Sequence, residues 1–411
     1  LTVDLDRIAS LLQQRQPGYA LPQQFYNDPD VLAFDRESVF GTSWLLAGFE
    51  AEVPDPGSAM VFAVGRGSVI VLRDRDGTLR AFHNTCRHRG SQIMPAGSTK
   101  ISRLTCPYHQ WTYGLDGCLL GAARMPPGFD RAAHGLGAVR VETVAGTIYV
   151  CLADDPPEFA PFRAALEPLL APHDLRNAKV AVTLEVVERA NWKLVMENAR
   201  ECYHCPAGHP DLRVSFPMDY SGSLGADENA RSIAFSARMA ALGLGIGPLE
   251  GEWWQVARFA LHDGCVSISP DGKSVSRIPL CAAGGGDVGS LRWALEPNDF
   301  CHAAGDYVMA FSAMPTGPEE TLVRLKFLVH KDAEAGIDYD PDRLIQTWNR
   351  TNDQDRDLAE NNQRGVNSAG YRPGPYSEDA ESNVIRFVDW YCDKASRFIA
   401  ARHRRMETIG S

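Results

Sequence analysis

The chain lacks any stretch of the ~18 to 20 apolar residues that would cross a bilayer. Its first residues (Asp4, Asp6, Arg7, Gln13, Gln14, Arg15) also lack the apolar run of a signal peptide. These absences are read as a soluble, cytoplasmic protein with no membrane partner. Clustered positive charge is scarce too: the net charge is −11 and no basic block precedes the ArgHisArgArg at Arg402. Phosphate backbones are held by clustered Lys and Arg, so a nucleic-acid partner is not expected. There is no repeat and no low-complexity tract. A strand-linked Gly-x-Gly-x-x-Gly is missing, because Gly243, Gly245 and Gly247 run into Pro248 without a strand before them. A plant-type Cys-x4-Cys-x2-Cys is missing as well.

What is present is an ordinary globular composition, 44% hydrophobic and 23% charged, over 411 residues. That length exceeds what one core usually supports and suggests two domains. Ten cysteines in a chain without an export signal read as metal ligands plus reduced core thiols rather than a disulfide framework.

Leu5, Ile8, Leu11 and Leu12 fall on one face of a short helix that Pro17 ends, giving an arm (1–39) that packs on a neighbour. From Phe40 the pattern is short strands and tight turns, such as 69–73 and 79–82 about Asp76 and Gly77, so 40–153 reads as an all-β domain. A Pro-rich stretch from Asp154 marks the boundary of a second domain, 154–411. This domain alternates strands (181–187, 291–295, 307–314, 322–330) with helices at 191–204 and 341–363. Val384, Val388, Tyr391, Ala395 and Phe398 mark a last helix, with Ser377 or Ser382 as its N-cap. The fold class is α+β with an antiparallel sheet.

Cys86-Arg-His88 and, seventeen residues later, Cys106-Pro-Tyr-His109 offer two thiolates and two imidazoles from two loops of the β domain. Two thiolates can hold one iron and two imidazoles the other, the ligand pattern of a Rieske [2Fe–2S] cluster. A structural zinc site uses the same residue types, but zinc fingers place a Cys pair before a His pair, whereas here the two alternate. His83 lies outside the pattern and reads as structural.

The second constellation runs from Asn191 to His209. On a helix, Asn198, Glu201 and His204 would share one inward face. Pro206 disfavours helix at Cys205, so the chain should turn there and bring His209 beside His204. Two imidazoles and a carboxylate make a facial triad that leaves positions on Fe(II) open for dioxygen and substrate. The carboxylate candidates are Glu201, Asp353, Asp355 and Asp357.

The CysArgHisArgGly and CysProTyrHisGlnTrpThrTyr strings, with Asn198, Glu201, Tyr203-His204 and His209 downstream, resemble the Rieske non-haem iron oxygenases along nearly the whole chain. The resemblance implies a helix-grip catalytic domain. It makes Asp355, eight residues before Gln363, the third iron ligand, with Asp353 and Asp357 left as solvated helix residues. It makes Asn198 a neighbour of the ligands, and Glu201 the acid that bridges His204 to the partner's His109 across a head-to-tail homotrimer. Many relatives carry Asp at that position; the longer Glu still accepts two imidazole N–H bonds. Electrons would come from NAD(P)H through a separate flavin and iron–sulfur reductase, and O2 would be the cosubstrate.

The wording around Asn191 to Cys205, the ArgProGlyProTyrSer at Arg372 and the PheValAspTrpTyrCysAsp at Phe387 are similar to the bacterial betaine demethylases. That subgroup hydroxylates an N-methyl group of a small cationic substrate and releases formaldehyde. Proline betaine (stachydrine) is the first expectation, glycine betaine the alternative, and an arene dioxygenase or an electron-transfer Rieske protein the rivals. A quaternary ammonium head is held by aromatic faces, for which Trp253, Trp254 and Phe259 are the candidates. A glycine-rich loop from Pro279 could be a lid or plain surface.

Overall fold

The computed structural model describes residues 3–218, 226–284 and 286–410. Three short helices, α1 (Leu5–Gln13), α2 (Gln24–Asn27) and α3 (Pro29–Asp35), form the N-terminal arm. Asp4 and Asp28 cap α1 and α3 by accepting from Arg7 N and Asp30 N. Ile8 and Leu11 are buried in the same core as Val388, Tyr391 and Ala395 of the last helix. The arm therefore packs on its own chain rather than on a neighbour. Its anchor is Asp35, fully buried, which accepts from Trp192 Nε1 (3.0 Å) and Tyr391 Oη (2.7 Å) and pairs with Lys193, whose ammonium also donates to Phe25 O (3.0 Å). Removing one member of such a satisfied buried pair typically costs about 3–5 kcal/mol.

The first domain is a sheet ordered β1-β10-β9-β4-β3-β2-β5, in which β1 is Leu45–Phe49, β2 Ser58–Val64, β3 Gly67–Arg73, β4 Leu79–His83, β5 Gly97–Lys100, β9 Ala138–Val144 and β10 Thr147–Cys151. A second, small sheet of β6 (Leu104–Thr105), β7 (Thr112–Tyr113) and β8 (Leu119–Gly121) sits beside it. Helix α4 (Ala160–Leu170) follows the Pro-rich stretch, where Pro157 O receives Trp44 Nε1 at 2.7 Å.

The second domain is built on an antiparallel sheet ordered β11-β17-β16-β15-β14-β13-β12: β11 Ala178–Glu188, β12 Leu249–Glu250, β13 Trp254–Phe259, β14 Ser290–Leu295, β15 Asp299–Ala303, β16 Val308–Gly317 and β17 Glu320–His330. Strand parity divides its side chains between two cores, because successive residues point to opposite faces. Leu291, Trp293, Leu295, Cys301 and Val308 meet α4 and the β1–β10 edge of the first domain, where Trp293 Nε1 donates to Tyr149 Oη at 3.1 Å. Met309, Phe311, Leu325 and Phe327 face the other way, toward α5 (Trp192–Ala199), α8 (Pro341–Val366) and α9 (Ser382–Gly410). Two further helices, α6 (Cys205–Gly208) and α7 (Ala226–Ala241), lie between α5 and β12 in the chain. Among the described residues no helix is long and apolar enough to cross a membrane.

The expected strands all form, with ends within three residues of the expected ones. The expected helix at 191–204 does not run through: α5 stops at Ala199, and Glu201 to His204 lie in a bend. Pro206 opens α6 instead of ending a helix, since a first-turn position needs no N–H donor. Ser377 accepts from Ala380 N in the turn ahead of α9, and Ser382 is already its first residue. The loop from Pro279, of which Gly285 lies outside the described residues, is tied down at its start. Leu280 and Cys281 are buried and both donate their N–H to Gly305 O at 2.9 Å.

Candidate active site

Two loops of the first domain meet at four donor side chains. Buried Asn84, just past β4, accepts from Ile93 N and Met94 N at 3.0 Å each and donates to Met94 O at 2.8 Å. This clasp sets the loop that carries Cys86 and His88. The second loop turns tightly through Gln110, at a left-handed φ of 59°, with Cys106 N donating to Trp111 O at 2.8 Å. Cys86 and Cys106 are both buried and within hydrogen-bonding reach of each other. The Tyr113 hydroxyl sits 3.2 Å from Cys86 Sγ and accepts Arg87 N at 3.0 Å. The His88 ring lies 4.6 Å from that of exposed His109 and stacks on Trp111 at 4.8 Å. His88 Nδ1 is buried with no hydrogen-bond partner, which costs free energy unless something else takes its lone pair. Two enclosed thiols, two imidazoles toward the rim and an orphaned ring nitrogen fit a [2Fe–2S] cluster.

The second centre sits on the helix-facing side of the large sheet. His204 follows the bend after α5, His209 follows α6, and Asp355 comes from the middle of α8. Their donors form a triangle: His204 Nε2 to His209 Nε2, His204 Nε2 to Asp355 Oδ1, and His209 Nε2 to Asp355 Oδ1 are each 3.0 Å. Two ligands at a right angle about 2.1 Å from an octahedral ion are themselves about 3.0 Å apart. The three side chains thus fit one face of an octahedral iron.

The other ring nitrogens are held from behind. Glu201 Oε1 is 2.5 Å from His204 Nδ1, and its second oxygen accepts the backbone N–H of Tyr203 and, at 3.3 Å, of His204. Gln354 Oε1 is 2.8 Å from His209 Nδ1. Both Nδ1 atoms are therefore the protonated ones when Nε2 is a ligand. Burial alone would depress His204, but hydrogen bonds to Asp355 and Glu201 outweigh it and raise its pKa to about 9. Burial likewise opposes ionisation of Asp355, and the same imidazoles reverse it, holding the carboxyl below its usual value.

Gln354 was not singled out from the sequence; its position one residue before Asp355 is the only signal there. Cys202 and Cys205 were read as reduced thiols, yet they form a disulfide that closes the turn around His204, with Cα atoms 4.8 Å apart. Asp353 pairs with Arg356 at 2.9 Å and Asp357 is exposed, so both stay on the outer side of α8. Gln363 is buried away from the triangle, accepting Asn191 N at 2.8 Å and so fixing the start of α5.

A cavity of about 220 Å³ opens beside the triangle, and Asn198 and Glu201 line it. Its walls are Phe216, Phe259, Phe300, Phe311, His302 and Trp348, with Phe300 stacked on Phe311 at 4.6 Å. Glu188 also lines it, its pKa raised to about 8 by burial and by nearby Asp355. Of the three expected cage residues only Phe259 lies here. Trp254 points to the opposite face of the sheet, and both Trp253 and Trp254 pack on Phe162 at 5.6 and 5.8 Å. Strand parity is the reason: Trp254 and Phe259 are five apart in β13, so they take opposite faces.

Comparison with known proteins matches two families along the chain. Residues 43–138 match the Rieske [2Fe-2S] domain family, and residues 175–396 match the ring hydroxylating alpha subunit (catalytic domain) family. The chain is 43% identical over 404 residues to the glycine betaine monooxygenase oxygenase subunit of Chromohalobacter salexigens, covering 94% of this chain and 88% of the relative. It is 42% identical to the Pseudomonas aeruginosa (strain UCBPP-PA14) subunit of the same description, covering 94% and 91%. Among solved structures it resembles the quaternary ammonium Rieske monooxygenase CntA in complex with gamma-butyrobetaine, with a TM-score of 0.69 at 21% identity over 94% of this chain and 98% of that one.

Proposed function

Because the chain belongs to the ring-hydroxylating alpha-subunit family of Rieske non-haem iron oxygenases, we propose that it N-demethylates glycine betaine. Family membership brings a [2Fe–2S] cluster, a mononuclear iron, O2 as cosubstrate and a separate reductase. The observation that carries the reading is the three-donor triangle beneath a small aromatic-walled cavity. A trimethylammonium group donates no hydrogen bonds and is attracted to ring faces, by about 2 kcal/mol or more when desolvated. Proline betaine, the first expectation, gives way to glycine betaine, whose oxygenase subunits are 42–43% identical to this chain over nearly its full length.

In this reading Cys86, His88, Cys106 and His109 hold the cluster, and His204, His209 and Asp355 hold the iron, within a chain divided into 1–39, 40–153 and 154–411. The bound iron would supply oxygen activation, for which the reductase provides two electrons. Glu201 and Gln354 keep the imidazole protons on Nδ1. The Phe and Trp walls exclude water and hold the methyl groups toward the triangle. One C–H bond becomes C–OH, the second oxygen atom leaves as water, and the hemiaminal collapses to formaldehyde and dimethylglycine. Tyr203 beside the triangle and Tyr108 beside His109 are exposed, at 67% and 56%, and suit a head-to-tail trimer in which Glu201 meets the partner's His109.

The test is formaldehyde release with a surrogate reductase, NADH and O2, offering glycine betaine, proline betaine and carnitine in parallel. The strongest release is expected from glycine betaine. A preference for another substrate, or none released while the cluster is reduced normally, would refute the reading.

A further inference from the structure

We propose that the Cys202–Cys205 disulfide keeps a fourth ligand, Cys205, off the mononuclear metal, and that the reduced chain offers His204, Cys205, His209 and Asp355 as a closed site selective for zinc. The inference rests on the iron ligands assigned above and is independent of which amine the enzyme demethylates.

The turn that carries an iron ligand also places the disulfide. Cys205 N donates to Cys202 O at 3.1 Å, and the two Cα atoms stand 4.8 Å apart, inside the span of about 4.4–6.8 Å that a disulfide bridges. His204 lies between the two cysteines in sequence. Both cysteines are buried, and both line the cavity. The Cys205 sulfur is 3.9 Å from His204 Nε2, and the donor atoms of His204, Cys205 and His209 all lie within 4.8 Å of one another. A tetrahedral zinc holding sulfur at about 2.3 Å and nitrogen at about 2.0–2.1 Å sets those two donors roughly 3.6 Å apart. A sulfur already this near the triangle reaches the metal by turning about its own Cα–Cβ bond once nothing ties it to Cys202.

Oxidation state is what withholds Cys205. The ligand form of cysteine is the thiolate, and a disulfide sulfur has no proton to lose. A small dithiol attacks the S–S bond, leaves two cysteine thiols and itself closes to a disulfide; Cys205 then gives up its proton as the metal binds. Two imidazoles and a carboxylate leave positions open on Fe(II). A thiolate beside them completes the four-ligand set of a closed zinc site, and soft sulfur favours zinc over iron. Zinc has no redox chemistry. The same turn therefore serves an oxygenase when oxidised and holds an inert metal when reduced.

The experiment uses the full chain with its [2Fe–2S] cluster intact and its mononuclear site stripped. The chain is oxidised with diamide, or reduced with a phosphine that takes up an oxygen from water as it is oxidised. Zinc and Fe(II) affinities are measured anaerobically by competition with a chromophoric chelator in the wild type, Cys202→Ser and Cys205→Ser, with Rieske absorption as the reference for the cluster. Four-ligand zinc sites divide their binding free energy among their ligands, so reduction predicts roughly 100- to 1000-fold tighter zinc in the wild type, and a smaller gain for Fe(II). Cys202→Ser is expected to bind zinc as tightly as the reduced wild type without reductant, and Cys205→Ser to be insensitive to reductant. Co(II) in place of zinc should show a thiolate charge-transfer band in the reduced wild type and in Cys202→Ser only. Zinc affinity that reduction leaves unchanged, an equal gain in Cys205→Ser, or Cys202 and Cys205 that stay open to alkylation after diamide overturns the proposal. If the urea midpoint shows that Cys205→Ser does not fold, Cys202→Ser against the two states of the wild type decides. An enzyme with these metal preferences but no formaldehyde release from any betaine overturns the proposed function and leaves this inference standing. An oxidised chain that binds neither metal overturns the ligand set on which both rest.

Discussion

Replacing Gln354 with leucine should weaken iron binding without touching the iron–sulfur cluster. His209 is 1% exposed, and its Nδ1 is 2.8 Å from the Gln354 carbonyl oxygen. Without metal, the imidazole of the variant can shift its proton to Nε2 and donate to Asp355, 3.0 Å away. With metal on Nε2 that escape closes, because the proton must sit on Nδ1 with neither protein nor water to accept it. The penalty falls on the loaded state alone and is about 1–3 kcal/mol for a buried donor left unpaired. This corresponds to the roughly 10- to 100-fold affinity loss typical of removing a group that orients a metal ligand. Anaerobic titration of the iron-stripped mononuclear site with Fe(II) or Co(II) measures it, with Rieske absorption as the internal reference. Gln354→Glu should keep or raise the affinity, since a carboxylate is the stronger acceptor. Wild-type affinity in the leucine variant, or equal loss in both variants, would refute the reasoning.

Two further outcomes follow from the same geometry. His204→Ala should empty the mononuclear site and abolish demethylation while the Rieske absorption and reduction remain; iron content falling from three to two per chain is the measurement, and retained turnover would remove His204 from the ligand set. Glu197 concerns stability instead. Burial, only partly offset by the hydroxyls of Tyr26 and Tyr376, lifts its pKa from 4.5 to about 7. A carboxyl bound more tightly to its proton in the folded chain stabilises fully below pH 4.5 and loses that contribution as pH rises through 7, about 3 kcal/mol in all. Glu197→Gln fixes the neutral form, so its urea stability should fall less than that of the wild type between pH 5 and 8. Parallel falls would sink the linkage.

Much of the fold was legible because its signals are local. Short apolar and β-branched runs in 69–73, 79–82, 291–295 and 322–330 mark strands whichever way they pair, and the AspGly at Asp76 turns the first into the second. The cluster loops and the His204–His209 segment stood out for a related reason: donor side chains two to five residues apart can converge if the chain turns between them. The carboxylate was different. Asp353, Asp355 and Asp357 are alike in sequence, and family resemblance rather than spacing separated them. In the structure Asp355 faces the two imidazoles, while Asp353 turns outward to Arg356.

The readings that failed depended on tertiary context. A helix through Glu201 and His204 satisfied local spacing, but α5 ends at Ala199, and the bend lets one carboxylate hold His204 Nδ1 while a disulfide closes the turn. Trp254 was a reasonable cage residue until pairing decided which face of β13 met the helices. Donor types, their local spacing and the strand and helix periods could be read along the chain, because each depends on neighbours in sequence. Which sheet face becomes the cavity, and that Gln354 meets His209, emerge only on folding. Those depend on residues far apart in the chain meeting across a folded core, as Gln354 and His209 do from 145 positions apart.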